Sequence, residues 1–304
     1  MCDDITELEN QGFYERQYNR RQFSLMGGGA AISLAFAGCA PGEKTTTNSS
    51  ANSSAGVDII ENDVIIETGD GETDAYFAHP AQGQHAAVLI WPDIVSLRPA
   101  FKMMAKRLAK DGYAALVVNP YYRQTPSPIV KVGETFRTPG VRERIVPFAR
   151  ALTRETTQRD TAAFVNWLDG QSAVDTGRKI GVTGYCMGGP MTMVSAAHRS
   201  DRIGAGASFH GGGLVTDKDD SPHLLIPQMQ ASYLVAIADN DDKRDPDHKN
   251  VLRQSFDAAG RDAEIEVYKG AQHGWCPPDS AVYNDKMAEK AWARKLALSE
   301  KALA

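Results

Sequence analysis

An α/β fold, with a mostly parallel central sheet and helices on both faces, is predicted by three observations. From Val57 onward, short β-rich runs alternate with stretches of helical periodicity. One of those strand-to-helix junctions carries Gly184-x-Cys186-x-Gly188, the spacing of a nucleophile mounted on a sharp turn. The chain of 304 residues, 42% apolar and 23% charged, is also long enough for one large domain with a single core and too apolar for wholesale disorder.

The elements follow in order. Val57 to Glu67 and Thr73 to His79 read as two strands of a hairpin around Gly69-Asp70-Gly71-Glu72. Further strands are expected at Ala87 to Trp91, Ala114 to Asn119, Lys179 to Thr183, Ala205 to Phe209, Tyr233 to Ala238 and Ile265 to Tyr268. Helical spacing covers Ala100 to Asp111, Thr156 to Leu168, Pro190 to His198, Pro246 to Ala259 and Asp285 to Leu298. Asp245 ahead of Pro246 has the form of an N-cap followed by proline at the first helical position. Gln124 to Thr153, rich in proline and arginine and without clear periodicity, reads as a loop or cap region above the sheet. No internal repeat appears, so residues 57–304 form one domain.

The first 56 residues are of another kind. Arg20-Arg21 stand just ahead of Phe23 to Gly38, an uncharged, Gly- and Ala-rich stretch shorter than a bilayer span. Paired arginines before a short apolar run have the form of a twin-arginine export signal, here residues 1–39. Two processing routes are open: cleavage at the small-x-small Ala35-Phe36-Ala37, or lipidation at Cys39 in the lipoprotein-box-like Ala37-Gly38-Cys39. Residues 40–56 are polar and small and cannot bury a core, so they read as a flexible linker. The expectation is a protein exported to the periplasm, either released there or anchored to the membrane on that side.

Charge and cysteine count exclude several function classes. Lys plus Arg total 33 against 38 for Asp plus Glu, and no basic stripe is present, which argues against a nucleic-acid binder. The four cysteines, Cys2, Cys39, Cys186 and Cys276, are too few for a disulfide scaffold and lack zinc-site spacing. No metal site is expected.

The chemistry concentrates at Cys186. A nucleophile on a tight strand-to-helix turn has strained dihedrals, so its neighbours at 184 and 188 must be small. Its side chain then projects above the sheet at a helix N-terminus, whose partial positive charge favours thiolate. Such a turn calls for an acid and then a histidine, each in a loop after a later strand. His273 follows the run ending at Tyr268, and the acid lies among Asp239, Asp241, Asp242 and Asp245, with Asp241 favoured. His210, after the strand ending at Phe209, comes too early to be the base and is a candidate pocket residue.

Five stretches together resemble the dienelactone hydrolase family of the α/β-hydrolases, over essentially all of Val57 to Leu298. They are Trp91-Pro92-Asp93-Ile94, the Met104 to Tyr113 segment with Arg107 and Gly112, Asn119-Pro120-Tyr121-Tyr122-Arg123, Gly184 to Gly189, and Gln272-His273-Gly274-Trp275. The resemblance implies an α/β-hydrolase fold, a Cys186–Asp241–His273 triad, and hydrolysis of a small ester or lactone (carboxymethylenebutenolidase-like) through a thioester without cofactor. Met187 N–H, after the nucleophile, supplies one oxyanion donor, and the resemblance puts the other at Ile94. It also implies that Asp93, where the archetype has glutamate, holds the resting cysteine, and that an arginine binds an anionic substrate. Arg123, beside Tyr122 at the end of a strand, is the best placed; Arg98, Arg137, Arg142 and Arg144 are alternatives. Trp275, with Tyr122 and His210, completes the expected substrate contacts. Other readings are a tethered binding protein without turnover, or acyl transfer or dehalogenation on the same triad. A Cys186–Cys276 disulfide is geometrically conceivable, although Cys276 fits better as a buried neighbour in the histidine loop.

Overall fold

The computed structural model describes residues 57–131 and 134–304. The export signal, the lipidation motif at Cys39 and the linker at 40–56 therefore lie outside the described residues.

Strands β1 (Ile59–Thr68) and β2 (Gly71–Pro80) form an antiparallel hairpin. The turn is tighter than the sequence suggests: Thr68 pairs directly with Gly71, whose φ of 129° is open to glycine. β3 (Ala87–Trp91), β4 (Ala114–Val118), β5 (Ile180–Tyr185), β6 (Ile203–Phe209), β7 (Ser232–Ala238) and β8 (Ala263–Tyr268) complete one eight-stranded sheet in the order β1-β2-β4-β3-β5-β6-β7-β8. β2 meets β4 antiparallel, and β4, β3, β5, β6, β7 and β8 run parallel.

β3, β4 and β5 are buried at every position, because helices cover both faces of the sheet. Successive side chains alternate between two apolar layers. Leu89, Leu116 and Val182 enter one, with α3 (Arg154–Asp169), α4 (Gly188–His198) and α6 (His248–Ala258) packed over it. Val88, Ile90, Ala115 and Val117 enter the other, under α1 (Pro99–Lys110) and α7 (Asp285–Ala302).

Two segments differ from expectation. The region read as irregular contains α2 (Val141–Arg150), which buries Val141, Ile145 and Ala149 at i, i+4 spacing around an internal Pro147. The residues after β7 form a short helix of their own, α5 (Asp239–Arg244). Asp245 is thus a C-cap, not an N-cap, and the next helix starts at His248 after Asp247. Three aspartates, Asp239, Asp241 and Asp242, with two following cations suit a helix start and end, so the acid loop closes into a turn of helix. Among the described residues no helix is long and apolar enough to cross a membrane.

Candidate active site

Cys186 stands between β5 and α4 with φ of 52°, a left-handed conformation rare outside glycine. Its N–H donates to Phe209 O at 3.0 Å and its carbonyl accepts from Gly189 N–H at 3.0 Å, so backbone bonds hold the strain in place. The glycines around it are sterically required. A Cβ at Gly184 would lie 2.1 Å from Gly188 O, and one at Gly188 would lie 2.3 Å from Trp91 O. The thiol is thereby set at the N-terminus of α4, at the carboxyl edge of the sheet.

His273 reaches the same point from the loop after β8. Its N–H donates to Asn240 Oδ1 at 2.8 Å and Asp239 N–H donates to Ala271 O at 2.8 Å, which stitches the histidine loop to the first turn of α5. Asp241, in that turn, accepts from His273 Nδ1 at 2.7 Å. The other three aspartates are occupied elsewhere: Asp239 by Lys243, Asp242 by Lys249 and Asp245 by Arg244. With Nδ1 committed to Asp241, Nε2 is left for the Cys186 thiol, with which the ring also hydrogen-bonds.

Burial alone would deprotonate His273. The carboxylate of Asp241 and the sulfur of Cys186 outweigh it and raise the imidazole to about 10. That favours the imidazolium form of His273 beside the sulfur.

His210 is brought to the site from the end of β6. It too has a left-handed φ, 41°, and its ring stands edge-on to that of His273 with centroids 5.1 Å apart. Burial holds its pKa below the usual imidazole value, despite the nearby sulfur. Trp275 packs behind it, centroids 5.0 Å apart, and stacks on Tyr268. Fully buried and absent from the cavity wall, Trp275 supports the histidine ring and does not offer a substrate contact, contrary to expectation.

Ile94 and Met187 flank the thiol. Among the turn and loop backbone hydrogen bonds of the described residues, neither N–H donates to a backbone carbonyl. Sequence reasoning missed the residue that joins them: buried Tyr121 donates its hydroxyl to Ile94 O and touches Met187 Sδ, each at 3.0 Å. Its place in Asn119-Pro120-Tyr121-Tyr122-Arg123 was the available signal.

Two expectations about charged and polar groups, one on Asp93 and one on Arg123 with Tyr122, are corrected. Asp93 accepts from Arg98 at 2.7 and 2.9 Å and from Val95 N–H at 2.9 Å, so its carboxylate is engaged there and not on the cysteine. Arg98 in turn donates to both oxygens of Asp279, at 2.6 and 2.9 Å, clasping the loop after β3 to the loop after β8. Arg123 donates to Asp70 and Asp160, and Tyr122 donates to Asp160; neither lines the cavity. The cause is Asp160, 1% exposed on α3, a buried carboxylate that draws the cation and the hydroxyl to itself. Finally, Cys186 and Cys276 are both free thiols, belonging to opposite core layers; burial raises the pKa of Cys276 well above the ordinary thiol value.

Cys186, His210 and His273 open into a common cavity of about 970 Å³, walled by the loops after β3 and β8 and by residues of the segment between β4 and α2. No cluster among the described residues could hold a metal ion.

The model of the Dienelactone hydrolase family matches residues 73–303. A protein of Methylorubrum extorquens named "Putative carboxymethylenebutenolidase" is 27% identical over 241 residues, covering 78% of this chain and 79% of its own. Among solved structures, the "Putative Dienelactone Hydrolase" of Klebsiella pneumoniae superposes with a TM-score of 0.69 at 23% identity, covering 80% of this chain and 99% of that one. The dienelactone hydrolase of Anabaena variabilis gives 0.57 at 16% identity over 81% and 99%. At these identities the structural matches carry the fold alone.

Proposed function

The chain belongs to the dienelactone hydrolase family, and from that premise we propose that it hydrolyses an ester or lactone through a thioester on Cys186. The observation that carries the reading is the chain of contacts Asp241–His273–Cys186, with a 2.7 Å bond at its acid end and a strained turn at its thiol end.

In this mechanism the Cys186 thiolate attacks the carbonyl carbon. The resulting oxyanion receives N–H donors from Ile94 and Met187, each worth about 3 kcal/mol of barrier lowering. The imidazolium of His273 gives its proton to the leaving alkoxide, and the C–O bond breaks. Neutral His273, kept in one tautomer by Asp241, then takes a proton from water, whose oxygen attacks the thioester. The tetrahedral species collapses with thiolate as leaving group, which restores the thiolate–imidazolium pair, and the carboxylic acid leaves and gives its proton to solvent.

Export by the twin-arginine route, with Cys39 either lipidated or removed, belongs to the same proposal. It is supported by Arg20-Arg21 ahead of the uncharged stretch at 23–38.

Substituting Cys186→Ala tests the reaction. The expected outcome is a loss of p-nitrophenyl ester hydrolysis by about three orders of magnitude or more, with circular dichroism and melting temperature retained. Undiminished turnover would refute the assignment.

A further inference from the structure

The lining of the cavity is more specific about the substrate than the triad is. At about 970 Å³ the cavity lies at the upper end of small-molecule sites and exceeds the needs of a compact lactone. Its apolar contributions come from Ile94, Val95, Met103, Phe136 and Val282, on loops and helices that approach the thiol from three sides.

Its charges cancel. Arg98 is buried, yet its guanidinium is spent on two carboxylates, Asp93 and Asp279, so this wall carries one net negative charge. The remaining cations on the lining, exposed Lys131 and half-buried Arg137, belong to the segment between β4 and α2, where the carboxylate of Glu134 is paired with Arg144 at 3.0 Å. Among the lining residues Arg98 is thus the one lysine or arginine that is buried. Arg123, the cation best placed by sequence to recognise an anion, is drawn away to Asp70 and Asp160. A site meant to trap a carboxylate needs an unspent cation or excess positive potential, and the wall formed by Asp93, Arg98 and Asp279 offers the reverse.

We infer that this cavity takes esters with an extended, uncharged acyl chain and discriminates against acyl chains that end in a carboxylate. The apolar walls bury the methylenes, and a terminal carboxylate would be desolvated beside Asp93 and Asp279, where the buried cation Arg98 is already spent. The inference rests on Cys186 as the nucleophile.

The test uses a pair matched in length, p-nitrophenyl hexanoate and the mono-p-nitrophenyl ester of adipate, on the full-length enzyme. Hexanoate is expected to show kcat/KM about tenfold or more above adipate. From acetate to hexanoate, kcat/KM is expected to rise by up to about fourfold per methylene. Added salt should leave the adipate value unchanged or raise it, because screening relieves repulsion. Asp279→Asn, which removes one of the two carboxylates, should shift the hexanoate-to-adipate ratio severalfold toward adipate. A ratio at or below one, or an adipate rate that falls with salt, would overturn the inference and leave the thiol mechanism standing. Hydrolysis of neither ester, with parent and Cys186→Ala alike, would instead remove the reading on which the inference depends.

Discussion

His273 keeps its proton against burial because two groups hold it: the Asp241 carboxylate on one side and the Cys186 sulfur on the other. The raised value has a direct consequence for pH dependence. Imidazolium is needed to protonate the leaving group, so kcat/KM should stay level through the mildly alkaline range and fall with an apparent pKa of about 10. In Asp241→Asn the alkaline limb should move down toward the ordinary imidazole value, with kcat reduced by roughly two to four orders of magnitude. A pH–rate profile of both proteins checks this; superimposable alkaline limbs would count against Asp241 as the orienting acid. The same shift bears on stability. Because the folded pKa lies above the unfolded value of 6.5, the contribution of His273 is fully present below that value and is lost as pH rises through about 10. At this scale the sequence was most legible at glycine. The requirement for small residues at 184 and 188 follows from the turn, and the close approaches of their backbones to Gly188 O and Trp91 O give the reason. The partners of Asp93 and Arg123 were not legible, since Asp279, Asp70 and Asp160 are distant in the chain.

Among the elements, loops carry the site and the sheet spaces them. β3 delivers Ile94, β5 Cys186, β6 His210, β7 the Asp241 turn and β8 the His273 loop, all at the carboxyl edge of parallel strands. The clasp of Arg98 with Asp93 and Asp279 fixes the first of these loops against the last. Arg98→Met should leave Asp93 without its cation and cost roughly 3 to 5 kcal/mol, seen as a lower urea midpoint. It should also lower kcat, because the loop bearing the Ile94 amide loses its anchor. A midpoint equal to that of the parent would mean that the clasp is a surface contact of no consequence. Strand positions were read well because β3, β4 and β7 are short apolar runs between turn signals. Helix α2 was missed because Pro147 and interspersed Arg and Glu residues mask its single apolar row, Val141, Ile145 and Ala149. α5 was missed because a helix of six polar residues has no apolar face to reveal it.

For the whole molecule, the alternation of strand and helix was sufficient to indicate a parallel sheet covered on both faces, and the resemblance indicated its hydrolase form. Strand order is a different matter. The crossing that seats β4 between β2 and β3 depends on pairing across the chain, which a single sequence does not display. That crossing places β3 next to β5 and hence Ile94 beside Met187, with Tyr121 from the end of β4 reaching both. In the proposed mechanism the fold assembles a nucleophile, its base and two backbone donors from segments more than one hundred residues apart at the extremes. Their joint claim is a covalent acyl group on one sulfur. Acid quench within the first turnover of p-nitrophenyl hexanoate, followed by peptide mass mapping, tests it most directly. The account predicts one hexanoyl group on Cys186, labile to hydroxylamine, with Cys276 unmodified; turnover with the acyl group on any other side chain, and Cys186 recovered as free thiol throughout, would contradict it.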